Sequence, residues 1–420
     1  MQKSKTILIL AFVCFSLGLN AQRLNMDSIL SAIDKQHPAV KMFDADIASM
    51  NAAAKGARSW MPPEVGAGFW MTPYNPMMWK ADASNYYSGM GSFMLSAQQM
   101  FPNKKQLDAN SAYMSAMSSV EQQNKNTALN DLYAQAKQNY FQWLVLKKKI
   151  LIIDQDSVLL NYMISDAELR FKNNMEKLSA YYKAKAALSN LQSMKLMALN
   201  EVKQKQIALN TLMNRNVNTQ FEIDSTYQLK DYSAYHFDST LFSTNRTDII
   251  AIDKNISLNQ LKLQLEKTNL KPQFGMRYDN MFAFGAQPDQ FSLMGMLKIP
   301  FAPWSSKMNK ANIESLKLKN DALISEKQMI INESGGMANT MLSMIETKKK
   351  QIQLYQNTII PALKNNYKTM QIGYEQNTEE LFMLYDAWES LNMTQLDYLD
   401  QLQQVLTMQT DLDKILQLRK

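Results

Sequence analysis

Hydrophobic residues follow two different rhythms along this chain. In residues 272–303 they fall on alternate positions: Phe274, Met276, Tyr278, Phe282 and Phe284 share one parity, while Gln273, Gly275, Arg277 and Asp279 take the other. Phe291, Leu293, Leu297, Ile299 and Phe301 likewise oppose Ser292 and Lys298. That period of two predicts strands with one apolar and one polar side. Elsewhere the spacing is three and four, as in Leu129, Leu132, Tyr133, Ala136 and Tyr140, or Leu178, Tyr181, Tyr182, Lys185, Leu188 and Leu191. Such stripes predict amphipathic helices with a coiled-coil face.

The helix breakers mark the same division. Nine of the 11 prolines and seven of the 12 glycines lie in residues 62–102 or 272–303, and none of either lies in 103–271. A helix entered at Asn103 is therefore free to run to about Phe171, some 70 residues, or roughly 100 Å at about 1.5 Å per residue. In the second half Gly335-Gly336 is expected to interrupt the outgoing helix, and Pro361 to break or kink it. Pro73, Asn75 and Pro76 read as a loop with Trp79.

The chain also repeats itself. Pro63-Glu64-Val65-Gly66 aligns with Pro272-Gln273-Phe274-Gly275, Gln99-Met100-Phe101 with Ile299-Pro300-Phe301, and Phe171-Lys172-Asn173-Asn174 with Tyr374-Glu375-Gln376-Asn377. Residues 22–228 form the first repeat, with strands at about 63–101 and long helices at about 103–213. Residues 229–420 form the second, with strands at about 272–301 and helices at about 304–418. A small equatorial part at about 214–244 has Phe221-Glu222-Ile223 as a short strand. At both helical reversals an Asn, Asn174 or Asn377, stands where a left-handed backbone is needed; Asn tolerates it best after Gly. The expected fold class is mainly α with a β-barrel part. Four strands cannot close around water, since closure needs about eight or more. A trimer pooling twelve strands is the simplest solution.

Composition narrows the class. Hydrophobic residues make up 46% and mean hydropathy is −0.33, which excludes a polytopic helical membrane protein. The one long apolar run, residues 7–19, follows Lys3 and Lys5 and precedes Leu19-Asn20-Ala21, so residues 1–21 read as a signal peptide. Cys14, the only cysteine, lies within it, which leaves a mature chain without thiol chemistry. Removing the two lysines lowers the net charge from +7 to +5, and the basic residues interleave with acids, so nucleic acid is not an expected partner. No cofactor motif and no catalytic constellation is present. His37, beside Pro38, reads as a helix-end residue, and His236 stands alone. Arg277, Asp279 and Lys298 are candidates for the barrel lumen. Of the 31 methionines, Met90, Met94 and Met100 lie in or near the first strand window, where their thioethers could contact soft metal ions or simply fill space.

Several motifs carry a family resemblance. Leu24-Asn25-Met26-Asp27 through His37-Pro38 to Ala57-Arg58-Ser59-Trp60-Met61-Pro62, then Gln98-Gln99-Met100-Phe101-Pro102 with Lys104, and finally Gly373-Tyr374 with Tyr385-Asp386-Ala387, resemble the TolC-like outer membrane efflux proteins. The strand-to-helix junction is most similar to the heavy-metal branch. The resemblance covers essentially the whole mature chain. It implies a homotrimeric, twelve-stranded barrel in the outer membrane of a Gram-negative bacterium, continued by a helical tunnel in the periplasm. The implied partners are a periplasmic adaptor protein docking at the helical tips (Asn174, Asn377, Gly373) and an inner-membrane pump such as an RND-type transporter. Glu379 and Asp386 match places where the family carries acids near its channel constriction. Two departures stand out: Asn replaces the usual tip Gly in both halves, and Lys183 occupies the first-half position matching Asp386. The expected activity is passive export, of drugs and small molecules or of heavy-metal cations. The alternative is a periplasmic or secreted coiled-coil scaffold without channel activity. Neither is an enzyme.

Overall fold

A computed structural model describes residues 22–82, 87–175, 177–232 and 239–418. The expected signal peptide and Cys14, and also His236, lie outside the described residues. The chain divides into two compact units. One comprises Phe43–Asn124 and Asp248–Ile330. The other takes the described residues up to Met42, then Lys125–Thr247, and the chain from Ile331 onward. Each unit thus draws on both halves of the chain.

The first-named unit, the sheet unit, contains β2 (Glu64–Trp70), β5 (Ser92–Phe101), β7 (Gln273–Ala283) and β8 (Gln290–Lys298), in the spatial order β2-β5-β7-β8. All three pairings are antiparallel. A small ribbon of β3 (Ala81–Asp82) and β4 (Tyr87–Ser88) lies between β2 and β5 in sequence. The predicted loop is a 3₁₀ turn, Pro76–Trp79, capped by Asn75, and the Trp79 indole donates to the Pro73 carbonyl. Trp79 also stacks on Phe284 at 5.4 Å.

The predicted alternation holds. Val65, Phe69, Phe274, Tyr278, Phe291 and Leu293 are exposed on one face, whereas Asp279 on the other is only 2% accessible. The sheet remains open, with β2 and β8 as its outer strands.

In the helical unit, β1 (Gln22–Leu24) pairs in parallel with β6 (Phe221–Ile223), the short strand expected in the equatorial part. The helices α1 (Met26–Gln36) and α2 (Pro38–Lys55) follow β1, with His37 as the C-cap between them. Next in the chain come α3 (Lys104–Lys172), which up to Asn124 belongs to the sheet unit, α4 (Leu178–Leu212), α5 (Ser239–Asn245) and α6 (Thr247–Asn269), which belongs to the sheet unit from Asp248 on. After the sheet follow α7 (Pro303–Leu354), α8 (Ile360–Glu375) and α9 (Leu381–Leu416). Asn103 starts α3 by accepting the Lys105 amide, and its 69 residues match the breaker-free run. No helix among the described residues is long and apolar enough to cross a membrane.

Two expectations about helices are corrected. Gly335-Gly336 does not interrupt α7, which runs through it; Phe242 packs beside Gly335, and the surrounding helix absorbs the cost of about 1 kcal/mol per Gly. Pro361 acts as expected but through a specific device. A π-helical turn, Tyr355–Ile359, precedes it, and Ile360 N–H reaches back to the Tyr355 carbonyl. Widening the turn accommodates the missing Pro361 N–H. The buried face of α4 is also shifted. Ala180, Ala184, Ala187 and Leu191 are buried, while Leu178 and Tyr182 are exposed, because small side chains allow the neighbouring helices to approach closely.

The predicted α3 face (Leu129, Tyr133, Ala136, Tyr140) enters the main core with Trp143, Phe221 and Leu402. Trp143 is 2% accessible and meets Phe221 edge-on at 5.1 Å. Asp413 on α9, also buried, accepts from Lys230 at 2.6 Å and Tyr232 at 2.9 Å, which fastens the equatorial segment to the bundle. Replacing Trp143 by Ala should cost about 3–5 kcal/mol, since it empties a filled site between β6 and α3. Thermal melting should register this as a drop in Tm of several degrees, while Val158→Ala, at an exposed position of α3, should change little.

Candidate functional site

Two places concentrate polar side chains whose arrangement goes beyond packing: the helical tips and the polar face of the sheet.

At the tips, α3 and α8 end in the same backbone motif. Asn174 and Asn377 adopt φ of 54° and 59°. Met175 N–H donates to the Arg170 carbonyl and Asn174 N–H to Phe171. In the second half, Thr378 N–H donates to Gly373 and Asn377 N–H to Tyr374 in the same pattern. Both are left-handed C-caps satisfying the last helical carbonyls. Asn thus fills the role expected of it at both turns.

Side chains then join the two hairpins. Arg170 donates through Nε to Asp166 at 2.9 Å, through Nη2 to the Tyr374 carbonyl at 3.2 Å and through Nη1 to the Asn377 side chain. Its guanidinium lies 4.1 Å from the Tyr374 ring centre, and the Tyr374 hydroxyl donates to Asp166. Together these groups form a latch between α3 and α8. A cavity of about 390 Å³ lies beside it, lined by Arg170, Asn174, Lys177, Asn377, Glu379 and Glu380.

Of the expected constriction acids, Glu379 is exposed at the tip and folds its side chain against Gly373. Asp386 is not a free carboxylate: Lys183 pairs with it at 3.1 Å and also lies 3.7 Å from the Phe382 ring centre. The first-half lysine thus pairs with the second-half acid within one chain. Arg170 and Asp166 were not singled out from sequence. Their four-residue spacing immediately before the Asn173-Asn174 turn was the available signal.

Beneath the tips, Asp156 sits in the second core with Trp388, whose indole donates to Oδ1 at 3.1 Å. Oδ2 is buried without a partner. Burial raises the Asp156 pKa, opposed by the Trp388 hydrogen bond. The folded chain then binds this proton more tightly than the unfolded chain does. Ionised Asp156 consequently destabilises the fold above its unfolded pKa, and the penalty disappears as pH falls below that value.

On the sheet, cross-strand register places Arg277, Asp279 and Lys298 on one face together with Met94 and Met100, because Gln98 opposes Arg277, Ser96 opposes Asp279 and Gln273 opposes Lys298. Asp279 accepts from Arg277 Nε at 2.9 Å and from Ser292 at 3.1 Å, so its charge is compensated within the sheet. Met90 is not in a strand; its N–H donates to the Met78 carbonyl, and it lines a cavity of about 440 Å³ with Met71 and Met281. Among the described residues, no group of three or more His, Cys, Asp or Glu is arranged to hold a metal ion.

With this geometry established, the chain has the fold of outer-membrane channels, the one its sequence resemblance implied. It is similar in structure to the outer-membrane channel OprN, with a TM-score of 0.74 and 11% identity over 93% of this chain and 89% of that one. Similarity to CusC, described for conformational changes accompanying folding and transmembrane channel formation, gives a TM-score of 0.74 and 14% identity over 96% and 95%. The outer membrane protein VceC of Vibrio cholerae gives 0.73 and 13% over 93% and 95%. No protein-family model matches the sequence, and no curated protein matches it.

Two predictions follow from the tips. Asn377→Ala should cost about 1–2 kcal/mol through left-handed strain, whereas Asn377→Gly should retain the turn. Hydrogen exchange of the amides of Thr378 and Glu379 should speed up in the Ala variant only. Asp156→Asn, which keeps an acceptor for Trp388, should raise Tm at pH 7 and lose that advantage on acidification. A variant less stable than the parent at pH 7 would contradict the assignment.

Proposed function

We propose that this chain is the outer-membrane channel subunit of a tripartite export system. It acts as a homotrimeric passive conduit in the outer membrane of a Gram-negative bacterium and extends into the periplasm. An inner-membrane pump, of the RND type in the reading favoured here, supplies the energy. A periplasmic adaptor docks at the tips around Asn174, Gly373 and Asn377. Drugs and other small molecules, or heavy-metal cations, are the substrate classes.

The observation that carries this reading is the open sheet with an exposed aromatic and aliphatic face. In lipid, unpaired strand edges are prohibitively costly, so β2 and β8 must find partners. Pairing β8 of one copy with β2 of the next satisfies both edges, and three copies reach the twelve strands that can surround water. The polar face carrying Arg277, Asp279 and Lys298 then lines the lumen and the apolar face meets lipid. The opposite assignment would bury ion pairs in hydrocarbon.

On this reading the Arg170–Asp166–Tyr374 latch holds the tunnel end narrow, and Glu379 contributes its fixed negative potential. The purified protein should run as a heat-modifiable trimer and conduct ions in a planar lipid bilayer. Arg170→Ala combined with Tyr374→Phe should raise single-channel conductance, because it removes the Arg170 and Tyr374 hydroxyl contacts that tie the α8 end to Asp166. Glu379→Gln should weaken block by divalent cations. A protein that washes from membranes with carbonate and conducts nothing is instead the coiled-coil scaffold.

A further inference from the structure

The methionines of the sheet are distributed unevenly between its faces. Met94, Met100, Met281, Met294 and Met296 belong to the face that carries Arg277 and Asp279, and Met276 alone belongs to the apolar face. Hydrophobic filling predicts the reverse. Thioethers on the side that carries the charges invite a chemical explanation.

The register sharpens it. Met100 opposes Gly275 on one side and Met296 opposes it on the other, so the three residues form a single rung across β5, β7 and β8. Neighbouring strands lie about 4.8 Å apart, which would keep side chains two strands apart from touching if the central residue had one. Gly275 has none. A Cβ built there would collide with the Met100 sulfur and lie 3.1 Å from the Met296 terminal methyl. The Met100 sulfur and the Met296 methyl enter the notch from the two neighbouring strands. Gly275 has no positive φ to demand a glycine; its bare Cα accommodates the Gln99 carbonyl, which a Cβ would approach to 2.9 Å, together with the two methionines.

We propose that Met100 and Met296 form a bis-thioether site for a soft monovalent cation, Cu(I) or Ag(I), across Gly275. Thioether sulfur is polarisable and uncharged, and it prefers soft d¹⁰ cations to Zn²⁺, Mg²⁺ or Ca²⁺. Met100 also lines a cavity of about 300 Å³ with Met61, Gln106, Asn269 and Gln273, so the sulfur is reachable. The amides there are engaged with each other, Gln106 donating to Asn269 and Gln273 donating to Gln106, both at 2.9 Å. No carboxylate lines that cavity, which disfavours hard divalent ions. Met94 and Met281, directly opposed further along the same face, offer a second thioether pair. As a contact for passing cargo the site rests on the conduit reading above; as a binding site it stands on the rung geometry alone.

The test uses the full-length protein in detergent, dialysed to equilibrium against silver nitrate in chloride-free buffer, with bound silver counted by mass spectrometry. Met100→Leu and Met296→Leu should each retain about one silver fewer per chain than the parent. Gly275→Ala should lose the same equivalent, while Zn²⁺ should not be retained. Met308→Leu, at an exposed helical methionine, should bind as the parent does. Leu conserves side-chain volume and should leave the assembly intact. If a variant fails to assemble, methyl NMR of the parent labelled at methionine decides: the first equivalent of silver should shift the Met100 and Met296 signals. Undiminished silver in the Leu variants, or an equal loss in Met308→Leu, overturns the site. Ion conduction without silver retention would sink the site and spare the conduit; silver retention without conduction would do the opposite.

Discussion

The seam between β5 and β7 is the interaction on which the remaining structure depends. It pairs Ser92 with Ala283 through to Phe101 with Phe274, and among the described residues it is the only strand pairing that joins the first-half hairpin to the second. Without it each repeat would carry a two-stranded hairpin, which is marginal by itself in water. Continuous register across the seam gives all four strands one common polar face. A slip of one residue would turn Arg277 and Asp279 to the side of Phe93 on β5 and Phe69 on β2 and break both faces at once. From this seam follow the single apolar face and the two open edges of the sheet.

The strand windows and the long helices were legible because the governing physics is local. Alternation over ten residues and the absence of Gly and Pro over 103–271 act within a few residues of chain. The left-handed role of Asn174 and Asn377 was legible for the same reason. Contacts between distant segments were not. The spacing of charges along α4 says nothing of Lys183 reaching Asp386, because the two approach only when the hairpins dock. The alanine face of α4 was hidden because periodicity favours large residues, whereas close helix packing favours small ones. Gly335-Gly336 was misread since a local propensity cost of about 1 kcal/mol per Gly is overridden by tertiary contacts in a long helix.

Asp156 shows how the helical unit combines these levels. Its carboxylate is placed by α3, its one hydrogen bond comes from α9, and Tyr367 of α8 packs near enough to feel its charge. One oxygen remains unsatisfied in a core otherwise built of Ile153, Leu160, Leu384 and Trp388. A buried half-paired carboxylate is a cost, and it falls where three helices meet just below the latch. The π-helical turn Tyr355–Ile359 leads directly into α8, so the bundle has a backbone irregularity in its second half and an electrostatic one, Asp156, in its first.

The two tips explain why duplication does not give symmetric chemistry. Arg170 and Gly373 hold the same place in the same C-capping motif, each with its carbonyl accepting the turn's final amide. In the first half that place bears a guanidinium, which extends to the opposite turn and to Tyr374. In the second that place is bare, and the exposed Glu379 side chain packs over it, its Cγ 2.6 Å from where a Cβ would stand. Arginine at both sites would set two cations against each other over one Asp166, and glycine at both would leave no latch. A shared backbone with unlike side chains allows one hairpin to hold the other.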